Sequence, residues 1–293
     1  MPKRALLVAI CLAIPLGLAA QPRPSEFYFL PVVAHTEGDR ASFFLSDLSI
    51  VNPQSDSVEV TVYVLPGGVD NTNYQATGKA FTLAAHASLF LPDVLKAQWG
   101  GQGLATLVLA ATGGASADRR FVGTSRTYNN ANPAGTFGLA VAPTFTETPS
   151  GSQAMLAGLA NNAGYRSNIG VFNDSASPAS VGIEVFDASG SSLGKTAIAL
   201  PPYSLAQTSV QTFAGKFDSG YAVVSPSGVA GMSLVSYAAV ADNGTSDATY
   251  FEAVPLVGEG AASSEPLGRT PGALERSLAA GGLLRTRTPE RAR

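Results

Sequence analysis

The chain contains an internal duplication, and this feature limits its possible folds more than any other. Residues 27–143 align with residues 153–256 through matching segments that keep their order. The spacing between partners is constant inside each segment and shortens only at loops, which tolerate insertion better than paired strands do. The duplication therefore predicts two units of one kind. The aligned positions include Phe29 with Met155, Leu48 with Ile169, Val60 with Val181, Leu83 with Leu200, Ala105 with Ala222 and Phe137 with Tyr250.

Each copy alternates apolar and other residues with a period of two. Val58 to Val64 alternate with Glu59, Thr61 and Tyr63, and the matching segment from Val181 to Val185 does the same. This period is typical of strands that bury one face and can present the other to water. Gly, Pro, Asn and Ser clusters separate seven or eight such strands per copy. We therefore predict an all-β chain of two tandem immunoglobulin-like β-sandwiches, with one helical turn from Asp93 to Trp99.

The duplication also predicts which strand positions face the core. Leu48 and Ile50 in the first copy align with Ile169 and Val171 in the second, and all four share one parity. The intervening Ser49 and Gly170 are small and are predicted to lie on the outer face.

The two ends of the chain differ from the repeats. Lys3-Arg4, an apolar run from Ala5 to Ala20 and a polar segment from Gln21 predict a secretory signal over residues 1–20, with an uncleaved N-terminal anchor as the alternative. Cleavage would remove Cys11, the chain's single cysteine, and place the protein in the periplasm, on the cell surface or outside the cell. Residues 257–293 carry six Arg and no strand period, which predicts a disordered tail.

The charge pattern argues against nucleic acid as a partner. Residues 21–256 hold 10 Lys and Arg against 17 Asp and Glu, with no basic cluster. No apolar run that could span a membrane follows the predicted signal. Small and β-branched residues dominate, as in extracellular all-β proteins.

Two segments carry a resemblance to known proteins. The segment Ser46-Asp47-Leu48-Ser49-Ile50-Val51-Asn52-Pro53 and the following Val58 to Val64 strand resemble the opening of bacterial surface immunoglobulin-like repeats. The segment from Thr124 to Asn129, with Gly135-Thr136-Phe137-Gly138, is similar to the closing part of a family of exported bacterial two-repeat proteins. The resemblance covers residues 27–256. It implies the fold and no catalytic residues.

Catalytic candidates are few. The sequence has only His35 and His86 as imidazole bases and no Gly-x-Ser-x-Gly elbow, so a serine-hydrolase triad is not predicted. Glu59 and Glu184 lie on outward parities of aligned strands, where a solvated charge is the ordinary explanation. We predict that the chain is not an enzyme and needs no cofactor.

Ligand candidates are more numerous. Weak calcium candidates are Asp242, Asn243 and Asp247, in a loop that turn chemistry also explains, and the loop from Asp70 to Asn73 in the first copy is similar. Further ligand candidates are Trp99, Tyr74, Tyr128 and Arg126. For Trp99 the favoured interpretation is a plug at the end of the first sandwich, and for Arg126 it is an anchor for a loop.

The sequence favours an exported, non-catalytic binding or structural module acting by surface recognition, in adhesion or as an extracellular scaffold. Its partner would be a protein or glycan at the cell surface. One alternative is a carbohydrate-binding protein and a further one is a secreted hydrolase. A subunit that exchanges strands within a surface assembly is another possibility.

Overall fold

The computed structural model describes residues 24–115, 119–141, 143, 147–228 and 233–256. The predicted signal and the predicted tail lie outside these residues. The described chain is all-β apart from one short α-helix and two 3₁₀ turns, at Tyr74–Thr77 and Val210–Thr212. No helix in the described ranges is both long and apolar enough to cross a membrane.

Unit 1 comprises strands β1 to β8 and the helix α1, which confirms the predicted helical turn. Strand β1 pairs with β6 over most of its length and with β2 at its end, from His35 to Glu37. The sheet therefore folds over itself, in the order β4-β3-β6-β1-β2-β7-β8 with β5 on β2. The elements are β1 (Phe27–Glu37), β2 (Phe43–Val51), β3 (Val58–Pro66), β4 (Lys79–Leu83), β5 (Ser88–Leu91), α1 (Val94–Trp99), β6 (Gly103–Gly114), β7 (Val122–Asn129) and β8 (Phe137–Val141).

Unit 2 comprises strands β9 to β18. They form two sheets, in the orders β13-β12-β15-β10-β18 and β14-β11-β16-β17, with β9 on β16. The strands are β9 (Thr148–Pro149), β10 (Gln153–Asn161), β11 (Tyr165–Asn173), β12 (Ala179–Asp187), β13 (Ser192–Leu200), β14 (Leu205–Ser209), β15 (Phe217–Ser227), β16 (Ser233–Asp242), β17 (Ala248–Glu252) and β18 (Val254–Leu256).

The two units repeat each other strand by strand. Strands β1 to β8 occupy the same places in their layers as β10 to β17, and among the described strands none of one unit enters a sheet of the other. Leu48 pairs with Leu91 in unit 1, as Ile169 pairs with Thr208 in unit 2. Both units are thus β-sandwich-like, each with an apolar cluster between its layers.

The ladders correct two of the predicted alignments. Ala105 pairs with Pro66, and the residue in the same place of unit 2 is Gly220, so the alignment with Ala222 was wrong by two positions. Tyr250 takes the place of Ala140 rather than that of Phe137. Both errors arose in segments where several small apolar residues match equally well, so that composition could not select the register.

A buried asparagine closes the same corner in both units. The Asn52 side chain donates through Nδ2 to the Asp56 and Ala84 carbonyls, at 2.7 and 2.9 Å. Asn173 donates to the carbonyls at the matching positions, at 2.8 and 2.9 Å. The two asparagines are fully buried and make the same bonds, so this corner is a structural device of the repeat.

The predicted inner positions are confirmed. Leu48, Ile50, Ile169 and Val171 are each 0% exposed. Gly170 faces outward as predicted, yet it is buried beneath the Tyr237 ring, and a Cβ there would lie 2.1 Å from Tyr237 Cζ. The outer face of this strand therefore does not meet water.

A third apolar cluster joins the units. The receiving face, which is the outer face of β1, β3 and β6, packs against the docking face, which is the outer face of β11, β14, β16 and β17. Phe29 contacts Phe172 edge to face, with ring centroids 4.8 Å apart, and the Gly68 N–H donates to the Leu205 carbonyl at 3.0 Å. Tyr63 lies on the parity that the alternation leaves free to meet water, and it is 3% exposed because the second unit covers that face.

Candidate recognition surface

One sheet face of unit 1 remains open and carries functional side chains. This unit-1 outer face consists of the outward side chains of β5, β2, β7 and β8. Residues directly opposite each other on paired strands point to the same side. Ser49 lies opposite Phe90 and Thr124, and Asp47 lies opposite Arg126. Because Leu48 and Ile50 point into the core, these five residues point away from it.

The same face is closed in unit 2, where it is the docking face. Val51 is 39% exposed, whereas Phe172 in the matching place is 0% exposed. Thr124 is half-buried on the open face, whereas its counterpart Tyr237 is 1% exposed at the unit interface. Of these two equivalent faces, only that of unit 1 is accessible to a partner among the described residues.

Arg126 and Tyr128 form the polar centre of the unit-1 outer face. The Arg126 guanidinium lies 4.8 Å from the centre of the Tyr128 ring, which is a cation–π contact. The same guanidinium donates through Nη2 to the Thr136 carbonyl at 2.9 Å and to its hydroxyl at 3.0 Å. Arg126 therefore anchors the loop before β8, as one of the two interpretations predicted, while its side chain stays exposed.

A chain of hydrogen bonds extends along the same side of the sheet, from Tyr128 to His35. The Tyr128 hydroxyl and the Asp93 N–H both donate to Asp47 Oδ1, at 3.3 and 2.9 Å. His35 Nδ1 lies 2.9 Å from Asp93 Oδ1. Burial raises the pKa of Tyr128, and the Asp47 carboxylate raises it further, so the phenol stays protonated and keeps donating.

Asp93 adopts a left-handed backbone at the start of α1, with φ 42° and ψ 54°. A non-glycine residue in this region carries a strain of about 1–3 kcal/mol, which persists only when its surroundings determine the conformation. Here Asp47 holds the Asp93 backbone and His35 holds its side chain. The polar chain thus holds the Tyr128 and Asp47 side chains of the unit-1 outer face in place.

The other end of the unit-1 outer face is apolar. The Phe90 side chain is 60% exposed, and Val51 is exposed at the end of β2. Solvent-exposed aromatic side chains beside polar groups are a common composition of binding surfaces. Sequence reasoning missed Phe90, Asp47 and Asp93. The outward parity of Phe90, beside the buried Leu91, was the signal that could have found it.

The two remaining aromatic candidates do not belong to this surface. Tyr74 is 2% exposed and lies between Tyr63 and Tyr203 at the unit interface, so it cannot contact a ligand. Trp99 packs on the unit-1 core, and its Nε1 donates to the Thr77 carbonyl at 2.8 Å. Lys79 Nζ lies 5.6 Å from the centre of the Trp99 ring, so this half-buried ring is engaged by the core and by a cation, in agreement with the predicted plug.

Two of the three calcium candidates, Asp242 and Asn243, use their side-chain oxygens in internal hydrogen bonds. Asp242 Oδ1 accepts from the Gly244 and Thr245 N–H groups, both at 2.8 Å, and these bonds with the Thr245 hydroxyl lower the pKa of Asp242. Asn243 Oδ1 accepts from the buried Arg166 guanidinium at 3.2 Å. Asp247 is exposed and joins no metal-ligand cluster, and the described residues contain none. The loop already binds the positively charged Arg166 guanidinium, which opposes the binding of a calcium ion there.

The loop from Asp70 to Asn73 is equally unsuited to a metal ion. The Asn71 amide donates to the Pro66, Val69 and Tyr203 carbonyls, so its nitrogen rather than its oxygen faces the loop interior. This loop holds the two units together.

The catalytic candidates lie apart from one another. His86 is exposed. Its backbone is left-handed, and so is that of Tyr203 in the matching place of unit 2. Glu59 accepts from Thr112 in unit 1, and Glu184 accepts from Ser192 in unit 2. The two carboxylates are thus side chains of different units.

Comparison with known proteins identifies no family. No family model matches the sequence, and no curated protein matches it. The chain is similar to the solved structure of a lectin from Pleurotus ostreatus in complex with GalNAc, with 12% identity, 80% of this chain and 85% of that chain covered, and a TM-score of 0.12. The chain is also similar to the apo form of Pleurotus ostreatus lectin, with 13% identity, 82% of this chain and 85% of that chain covered, and a TM-score of 0.12. A TM-score this low carries no argument about fold or ligand.

Proposed function

We propose that the protein is an exported, non-catalytic recognition or scaffold module built from two tandem immunoglobulin-like β-sandwiches. In this proposal the unit-1 outer face binds a partner at the cell surface. Residues 1–20 begin with a charged segment and continue with an apolar run, as secretory signals do, and this order supports export. The matched strand orders and matched asparagine corners support two sandwiches of one kind.

One observation carries the proposal. The duplication produced two copies of the same sheet face, and only the copy in unit 1 is open. That face combines the exposed Phe90 ring with the Arg126, Tyr128 and Asp47 group, which the His35–Asp93 support keeps in place. Aromatic residues and arginine are enriched at protein interfaces, and tyrosine and arginine are among the residues that most often dominate the binding energy there.

Binding to cell-envelope preparations tests the proposal. Labelled protein is compared with its Phe90→Ser and Arg126→Ala variants, and with Tyr165→Ser as a control that removes a 49% exposed ring elsewhere. We expect saturable binding that each face variant weakens by about tenfold or more and that the control leaves unchanged. Equal binding by all four proteins would contradict the assignment of the face.

Carbohydrate binding is the second candidate, and the exposure of Phe90 favours it. The Arg126 guanidinium already covers one face of the Tyr128 ring, so Phe90 is the ring on this surface that is open to a sugar. Ser49 and Thr124 lie beside it and could bond sugar hydroxyls. A glycan array probed with the wild type and with Phe90→Ser distinguishes this candidate from a protein partner.

The hydrolase alternative gains no such support. Ser46, next to Asp47, is fully buried, and its hydroxyl bonds Thr127 Oγ1 at 2.6 Å and the Ala34 N–H at 2.7 Å. A serine held in this way is not an accessible nucleophile.

A further inference from the structure

The contact between the units joins two different faces, and the duplication supplies a second copy of each. Within the chain, the receiving face of unit 1 packs on the docking face of unit 2. The counterpart of the docking face is the open unit-1 outer face. The counterpart of the receiving face is the outer face of β10, β12 and β15, here named the unit-2 outer face. Each chain thus has one unused face of each kind, on opposite units.

The unit-2 outer face carries a continuous apolar strip. Met155 lies opposite Val254 on one neighbouring strand and opposite Val223 on the other. Val254 is 65% exposed, and Met155 and Val223 are half-buried. The Phe186 and Tyr221 rings, also half-buried, stack beside the strip with their centroids 5.1 Å apart. One of these apolar side chains is largely exposed and the others are half-buried, so they are available for contact with a partner.

The central contact between the units is preserved in chemistry on the unused faces. Phe29 and Phe172 make that contact inside the chain, with ring centroids 4.8 Å apart. Their counterparts are Met155 on the unit-2 outer face and Val51 on the unit-1 outer face, and both are apolar and accessible. The same pairing of faces between two molecules would again bring apolar groups together at its centre.

Polar replacements surround this centre. Glu184 takes the place of Tyr63, and Thr124 takes the place of Tyr237. On each unused face an acid also lies opposite a base in the strand register, Asp47 opposite Arg126 on one and Glu184 opposite Lys195 on the other. A contact with an apolar centre and a charged rim is weaker and more reversible than the internal one, as non-obligate interfaces are.

We propose that the partner of the unit-1 outer face is the unit-2 outer face of a second copy of this chain. This inference rests on the proposed role of the unit-1 outer face as a recognition surface, and it adds the identity of the partner. The contact joins two unlike surfaces, so each bound copy leaves another pair of faces free. Assemblies of this kind extend as open chains unless their rotation closes a ring.

Two variants, each blocking one face, test the inference. Val51→Arg blocks the unit-1 outer face, and Val254→Arg blocks the unit-2 outer face. Both positions are exposed, at 39% and 65%. Sedimentation velocity of the purified wild type over a rising concentration series should show a mass that grows beyond a dimer. Each variant alone should stay monomeric, and an equimolar mixture should form a dimer and nothing larger, because one good face of each kind remains.

The control is Tyr165→Arg, an exposed residue of β11 away from both faces, which should assemble as the wild type does. Melting curves verify that each variant is folded. Where one is not, Phe90→Arg or Met155→Lys replaces it on the same face. A wild type that is monomeric at every concentration overturns the inference. A Val254→Arg protein that dimerises alone also overturns it, because two like faces would then be in contact.

This result is separable from that of the proposed function. Loss of envelope binding in Phe90→Ser, together with a monomeric wild type, would keep the recognition surface and remove self-association. Assembly as predicted with no envelope binding would keep the self-contact and remove a partner on the envelope.

Discussion

Gly170→Ala tests whether the docking face of unit 2 is buried as the structure has it. The added Cβ would lie 2.1 Å from Tyr237 Cζ and 2.2 Å from Tyr237 Cε1, far inside van der Waals contact. The ring has little room to move. It is 1% exposed, it stacks on Tyr250 with centroids 5.4 Å apart, and its hydroxyl donates to Gln207 Oε1 at 2.9 Å.

The magnitude follows from two opposing effects. Overpacking a closed site costs about 1–3 kcal/mol in the free energy of unfolding. Replacing glycine by alanine returns about 0.4–1 kcal/mol, because the unfolded chain loses conformational freedom. The expected net destabilisation is therefore about 0–2.6 kcal/mol, with a central value of about 1.3 kcal/mol. Gly182→Ala is the matched control, since it lies in an equally regular strand and its Cβ would meet nothing closer than the Ser225 carbonyl oxygen at 3.8 Å.

Urea unfolding of the full protein, followed by circular dichroism, measures both variants. Gly182→Ala should be as stable as the wild type or slightly more stable. In a Tyr237→Ala background, Gly170→Ala should lose most of its cost, because the two residues are in contact and their effects are coupled. If Gly170→Ala proved as stable as Gly182→Ala in the wild-type background, the docking face would not be packed as described.

Four further predictions follow from the same structure. Leu48→Ala should cost about 2–5 kcal/mol and Ser49→Ala under about 0.5 kcal/mol in denaturant unfolding, because the first is in the core and the second on the outer face; the reverse order would refute the register. Burial raises the pKa of Tyr28 from 10.0 to about 12. The stability that the protonated phenol contributes is therefore complete below pH about 10 and is lost as the pH rises through the folded pKa. Tyrosinate absorbance and the free energy of unfolding, both measured against pH, should show this alkaline loss. Unit 1 expressed alone as residues 24–141 exposes the receiving face, and light scattering should show that it aggregates more than the whole chain. Intact-mass analysis of secreted material should give a chain that begins near Gln21, and a mass that retains the preceding residues contradicts the signal.

Much of the fold was accessible from the sequence because strand patterns are local. The alternation of Val58 to Val64 places one parity inside, whatever the rest of the chain does. The duplication then aligned each strand of the first copy with its counterpart in the second, and this alignment predicted the inner positions Leu48 and Ile169. Those two arguments needed no knowledge of how the units meet.

What the tertiary structure alone decided is which outer faces are open. Tyr63 and Phe90 both occupy outward parities beside buried aliphatic residues, yet one is 3% and the other 60% exposed. The difference arises because unit 2 covers one sheet of unit 1 and not the other, a contact between residues far apart in sequence. The pairing of His35 with Asp93 and of Asp47 with the Asp93 N–H is equally long-range. A period-two pattern reports that a side chain leaves the core of its own sheet. It carries no information on whether water or another sheet receives that side chain, because apolar aromatic residues suit both a buried interface and an open binding surface.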